Sequence, residues 1–214
     1  MKKTHNLNEY ATAEHALMYL SRADSIPHRT EGEAVLLDFV PKKVQRILDL
    51  GSGDGRLLAL LLIDRQDAEG IALDFSPTMI KAASERFSND PKVQVVNHNL
   101  DNPLPGLGQF DVIVSSFAIH HCEDERKRQL YSEVFNALVP GGIFYNLEHV
   151  ASPTDELHSR FIRSLGLSEG EEDPSNKLLD VETQLQWLRD IGFKNVDCNW
   201  KWLELALFGG NKSI

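Results

Sequence analysis

Hydrophobic positions change their spacing twice along the chain. In residues 10–20, Ala11, His15, Leu17, Met18 and Leu20 share one broad face, the spacing of a helix. "SRADSIPHR" breaks that pattern, and Pro27 disfavours helical backbone at Ile26. "TEGEAVLLDFV" resumes it, with Thr30 as the expected cap and Pro41 as the stop. From Arg46 onward, short apolar runs alternate with helical ones. "RILDL", "EGIALDF", "VQVVNHNL", "FDVIVSSFAI" and "GGIFYNLEHV" read as strands. "GRLLALLLID", "SPTMIKAASERF" and "DERKRQLYSEVFNAL" read as helices between them. Ser76 is placed to cap the second of these, Pro77 suits its first position, and Pro140 with Gly141 is expected to close the third. Such alternation predicts an α/β fold: a doubly wound, mostly parallel sheet covered on both faces.

The tail departs from simple alternation. A helical piece is expected near 154–165, and "VETQLQWLRDIGF" reads as a helix ending at Gly192. Two strand-like runs follow, roughly 195–199 and 201–208. Their short joint predicts an antiparallel hairpin at the C-terminal edge, for seven strands in all. No internal repeat or low-complexity linker interrupts the chain.

Composition narrows the function more than the fold. A 42% hydrophobic chain of 214 residues supports one ordinary core, with at most a small addition. The net charge of −10 repels a phosphate backbone, so no nucleic-acid partner is expected. The N-terminal stretch lacks a long apolar segment and a small-residue cleavage site, and no run approaches the ~20 apolar residues of a membrane span. The expectation is a cytoplasmic protein without a membrane partner. Cys122 and Cys198 form no CxxC pair and read as reduced thiols.

Candidate chemistry begins at "LDLGSGDGR", a strand, a GxGxG turn and a helix start. Gly51, Gly53 and Gly55 let the backbone turn sharply and let a ligand approach. The turn stands at the carboxyl end of the first parallel strand, where open α/β sheets bind ligands. The second strand ends at Asp74, 19 residues beyond Gly55, and a carboxylate there can accept two hydrogen bonds from a ribose diol. The spacing is not the GxGxxG of a dinucleotide site, nor does GK[ST] end the turn as in a P-loop. Asp49 and Asp54 around the turn suit a ligand carrying an ammonium group and suit pyrophosphate badly.

With those residues the chain resembles the class I S-adenosylmethionine-dependent methyltransferases, a Rossmann-like fold. "ILDLGSGDG", "IALDFSPTMI", "FDVIVSSFAIHHCED" and "LYSEVFNALVPGGIFYNLEH" stand in the places of the family's motifs. The resemblance covers about 40–150 and implies S-adenosyl-L-methionine as cofactor. It implies that Asp49 anchors the turn and the methionine amino group, with Gly51, Ser52 and Gly53 lining the methionyl part. Asp74 would hold the ribose, and Phe75 and Met79 would flank adenine. The family's acid after the third strand falls on Asn99, whose carbonyl can accept the same hydrogen bond, or on Asp101 if the loop is shifted. Leu100 would offer a backbone amide, and Ser116 and Phe117 would border the methionine part. Tyr10 and Arg29 are candidates for the cofactor carboxylate.

For catalysis, His120 and His121 follow the fourth strand and His149 ends the fifth. An imidazole there can take a proton from a hydroxyl or amine. Two adjacent histidines in extended chain cannot both face one pocket. Tyr145 and Glu148 are further substrate-side candidates. Adjacent ligands such as "HHCED" rarely wrap one ion, so no metal is expected. The expected division is an N-terminal helical cap over 1–40 and a methyltransferase domain over 41–214, with a lid insertion at about 151–181. The expected activity is methyl transfer to an oxygen or nitrogen of a small metabolite, by a monomer or homodimer. Alternatives are a catalytically inactive S-adenosylmethionine-binding regulator, a protein methyltransferase and, less favoured, an NAD-dependent oxidoreductase.

Overall fold

A computed structural model of the protein describes residues 12–22, 26–168 and 170–214. Tyr10, the start of the first predicted helix and residues 23–25 of the break lie outside the described residues. In chain order the elements are α1 (Ala13–Arg22), α2 (Arg29–Phe39), β1 (Arg46–Leu50), α3 (Arg56–Ile63), β2 (Glu69–Asp74), α4 (Pro77–Arg86), β3 (Val93–Asn97) and β4 (Phe110–Ser116). A short 3₁₀ turn (Ile119–His121) leads to α5 (Asp124–Ala137), β5 (Leu138–His149), α6 (Asp155–Ser164), α7 (Val181–Ile191), β6 (Lys194–Trp202) and β7 (Leu205–Asn211).

The strands form one seven-stranded sheet in the order β3-β2-β1-β4-β5-β7-β6. β1 to β5 are parallel, while β7 runs antiparallel to both β5 and β6. Successive side chains of a strand leave opposite faces, and the sheet's apolar strands use both. Ile47, Ala72, Val112, Val114 and Leu147 pack with Leu36 of α2 and Leu57, Leu58 and Leu61 of α3. Leu48, Leu50, Leu73, Ile113, Phe144 and Phe208 pack on the other face with Leu130, Tyr131 and Val134 of α5 and Leu185 and Leu188 of α7. The strand order reverses between β1 and β4, and the carboxyl ends of those two strands open on one edge.

Local chemistry corrects several expected boundaries. α2 starts at Arg29, after His28 in the left-handed region (φ 60°), so Thr30 is already helical and caps nothing. Ser76 does occupy the cap position of α4, but its side chain makes no cap bond; Asp74 Oδ1 accepts the Ser76 N–H instead, at 2.8 Å. Pro140 and Gly141 do not end α5. That helix stops at Ala137, and β5 already begins at Leu138. Thr154 and Asp180 do cap α6 and α7, each accepting a backbone N–H three residues on. The C-terminal hairpin forms, with the first strand longer than the pattern suggests (Lys194–Trp202) and the second shifted onward to Leu205–Asn211. β6 takes the edge, and β7 lies between β5 and β6. The reason is burial: Leu205 to Gly210 are all buried, the run of a strand covered on both faces, whereas β6 is partly exposed throughout.

Candidate active site

A cavity of about 560 Å³ opens at the carboxyl ends of β1, β2 and β4, within the usual size range of small-molecule sites. Of the residues expected to bind a cofactor, Arg29, Asp49, Gly51, Ser52, Gly53, Asp74, Phe75, Met79, Asn99, Leu100, Ser116 and Phe117 all line it. Of the three expected catalytic histidines, only His121 does.

The turn after β1 makes the floor. Gly51, Gly53 and Gly55 have φ of 64°, 55° and 79°, a region that side chains disfavour. At Gly51 and Gly55 a Cβ would come within 2.2 Å of Ala118 Cβ and 2.4 Å of Phe87 Cε2. At Gly53 the nearest atom would be Met79 Sδ at 3.9 Å, so this glycine clears space on the cavity side. Asp74 ties the turn to β2: its Oδ2 accepts the Gly53 N–H at 2.9 Å while Oδ1 holds Ser76. Burial raises its pKa against the pull of those amides. Each oxygen keeps a second lone pair for a ligand donor.

Asp49 is the unusual group of the floor. It is 1% exposed, and neither carboxylate oxygen has a hydrogen-bond partner. Burial, with Asp74 and Asp54 nearby, pushes its pKa up to about 7; the Leu58 backbone N–H and, more weakly, Arg29 offset this only in part. A buried polar atom normally finds a partner. Here the residue lines the cavity, where a cationic ligand group could meet it. Asp54, by contrast, forms an ion pair with Arg86. Its charge is answered within the protein, so the ammonium preference inferred from the turn rests on Asp49.

The remaining walls are fixed by longer-range bonds. Asn99 Oδ1 accepts the Asp101 N–H at 2.9 Å, which closes the loop after β3 and leaves its second lone pair, or Asp101, toward the cavity. Arg126 clamps that loop: Nε donates to the Leu100 carbonyl at 2.6 Å, Nη2 to the Asn102 carbonyl at 2.9 Å, and the fork also grips Glu133. Glu133 in turn accepts the Leu104 N–H at 2.9 Å. Arg29 is buried, bonded to Glu33 at 2.8 Å, and its guanidinium lies 5.4 Å from the Phe117 ring centre. Phe117 holds φ of 52°, and its N–H is tied to the Leu147 carbonyl at 2.8 Å.

His120 and His149 stand behind the cavity in a carboxylate–imidazole network. His120 Nδ1 meets Glu148 Oε1 at 2.5 Å. Burial alone would raise the Glu148 pKa; the His120 ring, the His149 N–H and the Asn146 amide together hold it below the usual carboxylate value. His149 Nε2 meets Glu204 at 2.9 Å, and the second oxygen of Glu204 meets His158 Nδ1 at 2.8 Å. Burial lowers the His149 pKa despite Glu204, while Glu204 and Glu172 raise that of His158 against its modest burial. Tyr145 faces Phe39 (5.2 Å between ring centres), away from the cavity. Among the described residues no group of His, Cys, Asp and Glu is arranged to hold a metal ion, and no helix is long and apolar enough to cross a membrane.

Arg126, Glu133, Glu204, Asp173 and Ser175 were not singled out by the sequence. Arg126, Glu204 and Ser175 act on partners far along the chain, and Asp173 acts on its near neighbour Ser175. Glu204 had one available signal, a lone acid inside the apolar run "WLELAL".

Comparison with known proteins agrees with this geometry. Residues 47–142 match the family model described as "Methyltransferase domain". An uncharacterized methyltransferase of Mycobacterium tuberculosis is 36% identical over 110 residues, 51% of this chain and 53% of that protein. The chain thus spans about half the length of the first curated relatives it matches. A carboxy-S-adenosyl-L-methionine synthase of Helicobacter hepaticus is 25% identical over 209 residues, covering 85% of each chain. Among solved structures, an O-methyltransferase family protein from Burkholderia thailandensis superposes with a TM-score of 0.73 at 18% identity, over 96% of this chain and 62% of that one. The glycine turn, the acid ending β2 and the strand order agree with these matches: residues 47–142 are similar to a methyltransferase domain, and the fold is that of the superposed methyltransferase structure.

Proposed function

We propose that the protein transfers a methyl group from S-adenosylmethionine to an oxygen or nitrogen of a small metabolite. The observation that carries this reading is the cavity in which a buried, unpartnered Asp49, the glycine turn, Asp74 and His121 meet. S-adenosylmethionine supplies an electrophilic methyl group when bound. Asp49 answers its ammonium group, and Asp74 accepts from the ribose hydroxyls. Phe75 and Met79 flank adenine, with Asn99 or Asp101 as acceptor and the Leu100 amide as donor. Gly51, Ser52 and Gly53 line the methionyl part, bordered by Ser116 and Phe117. Arg29 and, from outside the described residues, Tyr10 serve the carboxylate end.

The protein's main tasks are alignment and exclusion of water. A base is needed when the acceptor arrives protonated. His121 takes that role at the cavity, with His120 and His149 behind it as holders. Residues 1–40 act as a cap and about 151–181 as a lid, where selectivity for the acceptor resides. The protein works in the cytoplasm as a monomer or homodimer.

Calorimetric titration with S-adenosylhomocysteine, with NAD in parallel, tests the cofactor. Saturable binding of the first alone supports the reading and justifies a screen for methyl acceptors; binding of NAD alone overturns it. A second reading draws on the near full-length similarity to the carboxy-S-adenosyl-L-methionine synthase: the cofactor itself is the species modified. Mass spectrometry of the small-molecule fraction separates the two. A methylated acceptor with S-adenosylhomocysteine favours the first, and a heavier S-adenosylmethionine derivative the second.

A further inference from the structure

His121 is the one histidine of its cluster at the cavity, and its ring is held from a distant part of the chain. Its Nδ1 lies 2.9 Å from Ser175 Oγ, with the Ser175 carbonyl farther off at 3.5 Å. Ser175 is 4% exposed and belongs to the segment joining α6 to α7. The same hydroxyl lies 2.6 Å from Asp173 Oδ1, which also accepts the Ser175 N–H at 2.9 Å. Two more bonds seat this segment on the histidine turn. The Lys177 N–H donates to the His120 carbonyl at 2.9 Å, and Lys177 Nζ to the His121 carbonyl at 2.6 Å.

The hydroxyl has one proton, and that settles the direction of the chain of bonds. If Ser175 donated to His121, its oxygen lone pair would face the Asp173 carboxylate at 2.6 Å with no proton between them. Donation to Asp173 satisfies the carboxylate and leaves Oγ as an acceptor, so the proton between His121 and Ser175 belongs to Nδ1. The Ser175 carbonyl, an acceptor only, agrees. Neutral imidazole carries one proton, so Nε2 is then the basic nitrogen.

We propose that Asp173 and Ser175 are positioning residues that fix His121 as the Nδ1–H tautomer, making Nε2 the proton acceptor for a hydroxyl or amine nucleophile that reaches the cavity protonated. The base role rests on the methyl-transfer reading above; the tautomer does not. In the proton step, the acceptor's O–H or N–H bond breaks, its electron pair stays on the acceptor atom, and the proton passes to Nε2. Burial and the neighbouring His120 ring hold the His121 pKa well below 6.5, which keeps the ring neutral and able to accept. The seated 173–177 segment therefore completes the base, and an acceptor site without it would hold an imidazole of unfixed tautomer.

Long-range ¹H–¹⁵N correlation on the ¹⁵N-labelled protein reads the tautomer of each imidazole directly. We expect His121 in the Nδ1–H form, a shift toward a tautomer mixture in S175A, and return of the native form in S175T, with the other imidazoles unchanged as a control on folding. An Nε2–H or doubly protonated His121 in the native protein overturns the proposal without any variant. So does a native His121 pattern in folded S175A. S-adenosylhomocysteine added to the same native sample separates the two claims: if no signal moves, the methyltransferase reading fails and the tautomer assignment stands.

Discussion

Two acidic clusters sit at the carboxyl edge of the sheet, and they solve the same problem in opposite ways. At the end of β5, Glu148 and Glu204 are buried, and imidazoles or amides meet them: His120, Asn146 and a backbone N–H on the first, His149 and His158 on the second. At the end of β1, Asp49 is equally buried, and neither of its carboxylate oxygens has a partner at normal hydrogen-bond distance. A buried charge without a partner costs several kcal/mol, and its pKa moves until the group is partly neutral. Both carboxylates therefore depart from ordinary values, Glu148 downward and Asp49 upward. The saturated cluster holds the structure together. The unsaturated one is a debt that only a ligand cation can settle.

Removing a carboxylate from each cluster should have effects of opposite sign. Glu148→Ala leaves His120 Nδ1 buried against an empty space, and loss of one partner of a buried pair costs about 3–5 kcal/mol. Urea unfolding should show that loss; a change under about 1 kcal/mol would mean the pair is not a support. Asp49→Asn should instead stabilise the ligand-free protein, by on the order of a few kcal/mol. The folded pKa of about 7 lies above the unfolded 3.8, so native stability falls as pH rises from about 4 to 7. The advantage of the variant should be largest above pH 7 and vanish below about pH 4. The same variant should weaken S-adenosylhomocysteine binding about 100-fold or more, some 2.8 kcal/mol. Unchanged stability at pH 8 with unchanged binding would erase the contrast.

Asp74 lies between the two cases, since it both anchors the turn and faces the cavity. Asp74→Ala should weaken S-adenosylhomocysteine binding by at least about tenfold, some 1.4 kcal/mol, in a protein that still folds. Native affinity in that variant would move the ligand elsewhere. The smallest effect belongs to the exposed end of the histidine network. The His158 pKa is raised by Glu204 first, then Glu172. Its contribution is complete below the unfolded value near 6.5 and disappears as pH rises through the raised folded value. His158→Ala should cost under about 1 kcal/mol at pH 5.5, because solvent screens the pair, and nothing measurable at pH 9. Thermal unfolding at the two pH values checks this.

The unsaturated cluster was legible in the sequence because its parts are close together in the chain. Asp49, the three glycines and Asp74 fall within two strands and one helix, and a sharp turn demands glycine at fixed spacing. Of the saturated cluster, His120, Glu148 and His149 were singled out, but not the pairing that saturates it. Glu204 meets a histidine 55 positions earlier, and Ser175 meets one 54 positions earlier. Such pairs follow from how the tail folds back, which period and spacing do not encode. The same gap explains β7. Its apolar run announces a strand, but nothing local tells that strand to enter the sheet beside β5 and leave the edge to β6. Asn99 was assigned to the cavity wall by the family resemblance, whereas the Arg126 clamp that holds its loop left no local mark.

The position of β7 has a consequence for how the protein comes into being. As the chain leaves a ribosome, β1 to β5 can pair in the order they emerge. β5, apolar on both faces, then presents an unpaired edge until residues 205–211 arrive and insert beside it. Open edges of this kind invite pairing with other chains, and contacts between distant segments form slowly. Glu204, which orders His149 and His158, arrives with the same strand. Sheet closure and the ordering of this histidine pair are thus one late event, and a nascent chain halted before β7 carries the glycine turn and Asp74 but lacks Glu204.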